Sequence, residues 1–172
     1  SGNKKQVVDI EKNTSIKDEA LGELTRETSS IIENVNYVGT DNRGNFFDIN
    51  ANQAKVYEDK PNLSNMDMVN AVISLKDGRK IYIKSDYAIY NRLTNDAEFM
   101  GNVLITESNN VIKSDNLDLN ISKNLISAYN NVHYSGTEGF LIADQVLINM
   151  LKNEANIFMF EKKDRVKVKY KN

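Results

Sequence analysis

Three aspartates are the first residues whose type and spacing could support chemistry. Asp86, Asp115 and Asp144 recur at one constant interval along the chain, and a cluster of carboxylates can bind a metal ion or exchange protons with a substrate. Each aspartate, however, belongs to a separate copy of a repeat and has no histidine, cysteine or second carboxylate immediately beside it. We therefore interpret them as corner residues that hydrogen-bond to their own backbone, and we predict no metal site.

His133 is the only histidine in the chain and thus the readiest candidate for a general base. No serine or cysteine stands at a spacing typical of a nucleophile paired with it, and no phosphate-binding loop, nucleophile elbow or zinc-ligand spacing is present. We predict no enzymatic activity and no cofactor. Loss of function in His133→Ala or Asp115→Ala, with the fold preserved, would instead indicate an enzyme.

The overall composition argues against several classes of protein. The 172 residues are 40% hydrophobic and 27% charged, with a formal net charge of −2, whereas a nucleic-acid-binding domain normally has a basic face. The chain has no cysteine, so neither a disulfide framework nor a thiolate site is available. No run of about 18 apolar residues is present to span a membrane as a helix. We therefore expect an ordinary globular domain without a nucleic-acid partner.

An internal repeat of constant length shows which elements position these side chains. Its copies begin at Ile83, Ile112 and Leu141, and each has serine or alanine two positions later, followed by the aspartate. Apolar and polar residues alternate as in strands with one buried face, and the alternation slips by one residue at the aspartate, which indicates a bulge or corner. Clusters of Gly, Asn and Asp mark hairpin turns. The sequence predicts an all-β fold of a dozen or so antiparallel strands, paired neighbour to neighbour.

The two ends differ from the repeats. Residues 1–30 are mostly polar and are expected to form a flexible arm ahead of a β-domain of residues 31–172. Near the other end, Val166, Val168 and Tyr170 alternate with lysines, a pattern typical of an edge strand protected by charge. Exposed terminal strands can recruit a partner by strand addition, so this edge is a candidate docking site, although the lysines also suit a capped edge.

The apolar positions of the strands define one continuous inner face. Several are small, among them Ala54, Ala88 and Ala128. The face can be a filled core, as any two-layer β-fold requires, or it can line a trough with room for a ligand. A hydrocarbon chain in such a trough would gain about 0.8 kcal/mol for each methylene removed from water. The residues alone leave both interpretations open.

The order of short motifs over residues 31–160 resembles the OstA/LptA/LptC group of lipopolysaccharide transport proteins, and within it the LptC family. The motifs are the aliphatic-x-[Ser/Ala]-Asp start of each repeat, Phe99 followed by Gly101-Asn102-Val103, an entry hairpin over 33–51 and a second hairpin segment over 66–78. The resemblance implies a twisted antiparallel β-jelly-roll, folded like a taco. It also implies the periplasmic domain of a Gram-negative inner-membrane protein, whose single-pass anchor we expect ahead of Ser1.

The role implied by the resemblance is to receive lipopolysaccharide from the ATP-driven LptB/LptF/LptG extractor and to pass it to the bridge protein LptA. LptA would dock at the edge strand of Val166, Val168 and Tyr170, and the LptF and LptG side would meet the first strand, near residues 31–38. The acyl chains of lipid A would contact Phe47, Ile49, Ile73, Leu75, Ile83, Tyr90, Phe99, Val103, Ile105, Ile112, Leu117, Leu119, Val132 and Ile148.

Two alternatives remain beside this interpretation. One is a close relative of the same class, LptA itself or a detached domain of LptF, LptG or LptD. The other is a structural strand-repeat module with a filled core and no lipid cargo. In the transport interpretation, basic residues at the rim of the trough could meet lipid phosphates; the candidates are Arg79, Lys80, Lys84 and Lys113.

Overall fold

The computed structural model describes residues 6–14, 26–160 and 167–169, and every regular element in those ranges is a β-strand. The strands are β1 (Gln6–Thr14), β2 (Arg26–Thr40), β3 (Phe46–Tyr57), β4 (Leu63–Ser74), β5 (Lys80–Asn91), β6 (Ala97–Glu107), β7 (Asn110–Asn120), β8 (Leu125–Gly136), β9 (Gly139–Asn149), β10 (Glu154–Phe158) and β11 (Lys167–Lys169).

Strand pairing follows the order of the chain. One antiparallel sheet runs from β1 to β10, with each strand hydrogen-bonded to the next. β10 and β11 share one edge of β9, because β10 pairs with residues 145–149 and β11 with residues 140–142, while β8 occupies the other edge. The predicted all-β, antiparallel, neighbour-to-neighbour fold is confirmed.

The segment predicted to be a flexible arm contains a strand. β1, Gln6–Thr14, pairs with residues 26–33 of β2, so the prediction differs from the structure over those residues. Residues 15–25 lie outside the described part of the chain, and the boundary between arm and domain stays a prediction.

The break between β10 and β11 has a cause in the sequence. Continuing β10 in the register of the internal repeat would bring Glu161, Lys163 and Arg165 to inner-face positions, where unpaired charges are costly to bury. Pairing instead resumes at Lys167, which places Val168 opposite the inner-face residue Leu141.

A continuous corner crosses the sheet at the level of the recurrent aspartates. Between β5 and β9 the register shifts at that level in every pair of strands. The side chain of Asn102 donates to Asp86 (2.7 Å) and that of Asn131 to Asp115 (2.6 Å), each across the corner to the neighbouring strand. The interpretation of these aspartates as bonding to their own backbone is therefore wrong: they join adjacent strands where the ladder is interrupted.

The third aspartate makes the same link with a different donor. Asp144 accepts a hydrogen bond from the backbone N–H of Phe160 at 2.7 Å. Phe160 follows Asn131 at the same interval at which Asn131 follows Asn102, so it occupies the position that asparagine holds in the two earlier copies. The corner thus extends past β9 even though β10 ends at Phe158.

Met68 holds a strained backbone conformation at the same corner in β4. Its φ is +53°, a left-handed value that costs an ordinary L-residue about 1 kcal/mol, and its side chain is 58% exposed. We expect Met68→Gly to raise the free energy of unfolding by about 0.5–1 kcal/mol in urea titrations followed by circular dichroism. Met100→Gly, within the extended part of β6, is the matched control and should lower it by about the same amount. Destabilisation by both changes would contradict the strain at Met68.

Recurrent asparagines build the turns at one end of the sheet. The side-chain oxygens of Asn91, Asn120 and Asn149 accept backbone N–H groups of the turns that follow them. Further along each turn, Asn95, Asn124 and Asn153 have φ between +55° and +63°, the left-handed region that asparagine tolerates better than most residues. Turn geometry thus explains why asparagine recurs at these six positions.

The sheet folds over on itself to bury its inner face. The rings of Tyr37 in β2 and Tyr90 in β5 stack with their centroids 5.0 Å apart. In a flat sheet these strands would stand about 14 Å apart, three spacings of roughly 4.8 Å. Folding at the corner brings them together, with the inner-face side chains enclosed between the two halves. The result is consistent with the predicted jelly-roll-like fold.

Candidate functional site

The predicted lining residues all lie on the inner face of the folded sheet. Thirteen of the fourteen are buried, with exposed fractions of 6% or less, and Ile148 is half-buried against the same core. The strands position them by simple alternation, and the slip at the corner keeps both halves of each strand facing inward. For example, Ser85 and Ala88 are both buried although their positions differ by an odd number.

One inner row runs across nine strands in register. Its members are Ile32, Ala54, Met66, Ala88, Phe99, Leu117, Ala128, Val146 and Ile157. Small and large side chains are interspersed, so the large ones occupy space that the alanines leave free. Ile32, which pairs with Val7 of β1, is half-buried against the core, and at the other end of the row Ile157 is 41% exposed. The middle of the row is closed.

The lining is therefore packed shut along most of its length. Ile83, Leu117, Ile126, Ala128 and Val132 have no solvent-exposed area at all, which means that side chains from the two halves of the sheet fill the space between them. A hydrocarbon chain could occupy this face only by separating the two halves.

The seam, formed by Tyr37, Gly39, Ser64, Tyr90 and Asn95, closes the two halves along one side. Besides the ring stack, the hydroxyl groups of Tyr37 and Ser64 are 3.1 Å apart. On one side of the seam, the Tyr90 hydroxyl donates to Asn95 Oδ1 at 2.5 Å and joins β5 to the turn that follows it. A Cβ added at Gly39 would lie 3.3 Å from Asn95 Oδ1, so the backbone of β2 passes close to the turn between β5 and β6.

Side chains, and not a strand ladder, hold the seam. Within the described residues, no backbone hydrogen bond joins β2 to β5 or to the turn that follows it. Burial, with a smaller contribution from Tyr37, raises the pKa of Tyr90, which keeps its hydroxyl protonated as a donor. The seam can therefore open without the loss of a backbone hydrogen bond, whereas separating two paired strands would break many.

A second contact between the halves lies near the turns at residues 75–79 and 150–153. The guanidinium of Arg79 donates to Asn153 Oδ1 and pairs with Asp77 at 2.8 Å. Leu75, one of the predicted lining residues, reaches a cavity of about 700 Å³ here, with Met150 and Leu151 on its other side. Arg79 therefore lies at the edge of the inner face, as predicted for a rim residue.

The other basic residues expected at the rim lie elsewhere. Lys80, Lys84 and Lys113 alternate with buried isoleucines of β5 and β7 and are exposed on the outer face of the sheet. The prediction that they line the rim of the trough is wrong, because it located them along the strand without deciding which face they occupy.

The two candidate docking edges differ in how much of them the structure describes. Val168 lies in β11, at the edge of the sheet beside β9, whereas Val166 and Tyr170 lie outside the described residues. At the other end β1 covers β2 only as far as Glu33.

Catalytic candidates do not come together. In the parts of the chain that the structure describes, no group of three or more His, Cys, Asp or Glu side chains could hold a metal ion. His133 is exposed on β8, directly opposite Lys113 in the strand register. The same described residues include no helix of the length and apolarity needed to cross a membrane.

The family model for lipopolysaccharide-assembly, LptC-related proteins matches residues 7–156. The chain belongs to the LptC family. No individual curated protein matches it. Membership assigns this LptC-related protein to lipopolysaccharide transport and outer-membrane biogenesis, as a domain on the periplasmic side of the envelope in a family of transport components and not of known enzymes.

Sequence reasoning on this LptC-related chain missed the seam. Its residues are a glycine, a serine, an asparagine and two tyrosines spread between positions 37 and 95, and only Tyr90 was among the predicted lining. No local pattern marks them, because their proximity depends on how far the whole sheet turns at its corner.

Proposed function

We propose that this LptC-related protein carries lipopolysaccharide on its inner face, receiving it from the ATP-driven LptB/LptF/LptG extractor and passing it to LptA, without catalysing a reaction. The observation that supports this most directly is the apolar row that crosses the sheet in register and becomes accessible at Ile157. Acyl chains that replace the contacts between the two halves would keep this surface out of water.

Cargo would enter and leave by parting the seam. The contacts across it are one aromatic stack, one side-chain hydrogen bond and a close approach at Gly39. Such contacts contribute about 1 kcal/mol each, which is comparable to the gain from burying one or two methylenes. Several acyl chains of ordinary length would offset the loss.

The partner edges follow from the ends of the sheet. β11, with Val166, Val168 and Tyr170 in and beside it, would receive a strand of LptA. The first strand of the domain, near residues 31–38 in β2, would face LptF and LptG. Strand addition at both ends would join the inner faces of successive proteins into one path. A single-pass anchor would hold the domain at the inner membrane.

Photo-crosslinking in the full chain tests the cargo site. A benzophenone side chain at Phe99 or Tyr90 should crosslink to lipopolysaccharide, because both residues lie on the inner face. Tyr87 is the matched control: it lies in the same strand as Tyr90 but is 56% exposed on the outer face, and the same group there should give at least about tenfold less product, the ratio for a difference of about 1.4 kcal/mol.

The alternatives predict different patterns of crosslinking. Equal products from Tyr87 and Tyr90 would contradict an inner-face site. No product at any position, in a protein that is folded and bound to its partners, would favour a structural module with a filled core.

A further inference from the structure

The outer face of β7, β8 and β9 carries a cavity that the inner-face proposal does not use. Its volume is about 510 Å³. Six of its described lining residues alternate with buried positions and so lie on the outer face, while Tyr134 and Leu141 stand between them in the strands. The six are Val111, Lys113, His133, Ser135, Phe140 and Ile142.

Half of this lining is apolar, on a face that is normally polar. Phe140 is 42% exposed and Ile142 40% exposed, next to each other in β9 on alternate positions. In the strand register Val111 and Phe140 flank Ser135 from the two neighbouring strands, and all three apolar side chains line the same cavity. Single exposed apolar residues need no explanation, but a concave group of them is typical of a binding site.

The polar part of the lining is cationic or hydrogen-bond-donating. Lys113 and His133 are direct partners in the register of β7 and β8, and Ser135 follows two positions later on the same face. None of the described lining residues is acidic. The nearest aspartate on this face, Asp115, already accepts the Asn131 side chain at 2.6 Å.

The cationic and apolar parts of the lining are adjacent. In the strand register His133 pairs with Lys113 on one side and with Ile142 on the other. The charge pattern is complementary to an anion attached to a hydrocarbon group.

We propose that this outer-face cavity binds an amphiphile with a phosphate headgroup. The hydrocarbon contacts Val111, Phe140 and Ile142. The phosphate lies between Lys113 and His133. The Lys113 ammonium, an imidazole N–H of His133 and the Ser135 hydroxyl can each donate a hydrogen bond to one phosphate oxygen. The site is separate from the inner face, since the buried layer of Ile112, Val132 and Ala143 lies between them, and the proposal does not depend on inner-face transport.

Tryptophan fluorescence tests the proposal directly. The chain has no tryptophan, so Phe140→Trp places a single reporter in the cavity while keeping an aromatic side chain. Dodecyl phosphate below its micellar concentration should give a saturable blue shift. Dodecyl maltoside, with the same chain and a neutral headgroup, should bind about tenfold more weakly or worse, and inorganic phosphate should give no shift. Calorimetry on the chain without the reporter should give the same order of affinities.

Charge variants and a locked seam separate this site from the cargo site. Lys113→Gln with His133→Gln should weaken dodecyl phosphate about tenfold or more and leave dodecyl maltoside unchanged. Lys84→Gln, on the outer face but outside the cavity lining, should change neither. A Gly39→Cys/Asn95→Cys disulfide, which closes the seam, should leave dodecyl phosphate binding intact even where inner-face crosslinking to lipopolysaccharide is lost.

Three outcomes would overturn the proposal. They are equal binding of the charged and neutral amphiphiles, no effect of the Lys113 and His133 changes, and loss of dodecyl phosphate binding when the seam is locked. A blue shift with inorganic phosphate alone would also contradict it, because the site would then recognise an anion without hydrocarbon. Inner-face transport is measured separately by crosslinking from Phe99.

Discussion

A disulfide across the seam will abolish capture of lipopolysaccharide by the inner face. A Cβ at Gly39 would lie 3.4 Å from Cγ of Asn95, so a cysteine sulfur in place of that Cγ is within reach of a cysteine at 39 with little movement of the backbone. The chain has no cysteine of its own, so Gly39→Cys/Asn95→Cys has only one way to pair. The covalent bond would hold β2 against the turn after β5 and keep the two halves in contact.

The expected effect is large because the inner face has little space for cargo while the halves touch. Its central side chains are wholly buried, and an acyl chain must displace their mutual contacts to reach them. We expect crosslinking from a benzophenone at Phe99 to fall at least about tenfold in the oxidised protein and to return on reduction. The measurement is the yield of crosslinked lipopolysaccharide before and after reduction of the same sample.

The single-cysteine chains are the controls for this experiment. Gly39→Cys alone and Asn95→Cys alone each introduce the same local change as in the double variant, including for Asn95→Cys the loss of the Tyr90 hydrogen bond, without a link. Both should capture lipopolysaccharide under oxidising conditions. Undiminished capture by the oxidised double variant would show that cargo does not need the seam to open.

Leu117→Ala will destabilise the fold by roughly 2–5 kcal/mol, the range for a buried leucine. Leu117 has no exposed area and lies in β7 between Phe99 of β6 and Ala128 of β8. Because the Ala128 side chain is small, it cannot move far enough to fill the cavity that the removed leucine atoms would leave. The loss is a substantial part of the roughly 5–15 kcal/mol by which most domains are stable.

Leu93→Ala is the matched control for this prediction. Leu93 lies between β5 and β6 and is 73% exposed, so the same chemical change should alter the free energy of unfolding by no more than about 0.5 kcal/mol. Urea unfolding followed by far-ultraviolet circular dichroism measures both. Similar small effects for both leucines would mean that the inner face is loosely packed around Leu117.

The repeats and their aspartates show which structural features a local sequence pattern can predict. The repeat and its slip at Asp86, Asp115 and Asp144 predict strands with a corner, and both are present. The bonding of those aspartates was not predictable, because the asparagine partners of the first two lie on the next strand, beyond a hairpin turn. Similarly, the prediction that Lys84 and Lys113 lie on strands is correct, but both side chains are on the outer face and not at the rim of the inner face.

What the sequence by itself determined is the set of strands, their neighbour-to-neighbour pairing and the side chains that face inward, since alternation with a period of two is a local property. Only the tertiary structure decided that the inner face is packed shut, that a seam of side chains closes it, and that Phe140 and Ile142 form a cavity with Lys113 and His133. Gly39 and Asn95 are distant in the chain, with the whole of β3, β4 and β5 between them. Their contact depends on the twist and bend accumulated over several strands, which no short stretch of sequence encodes.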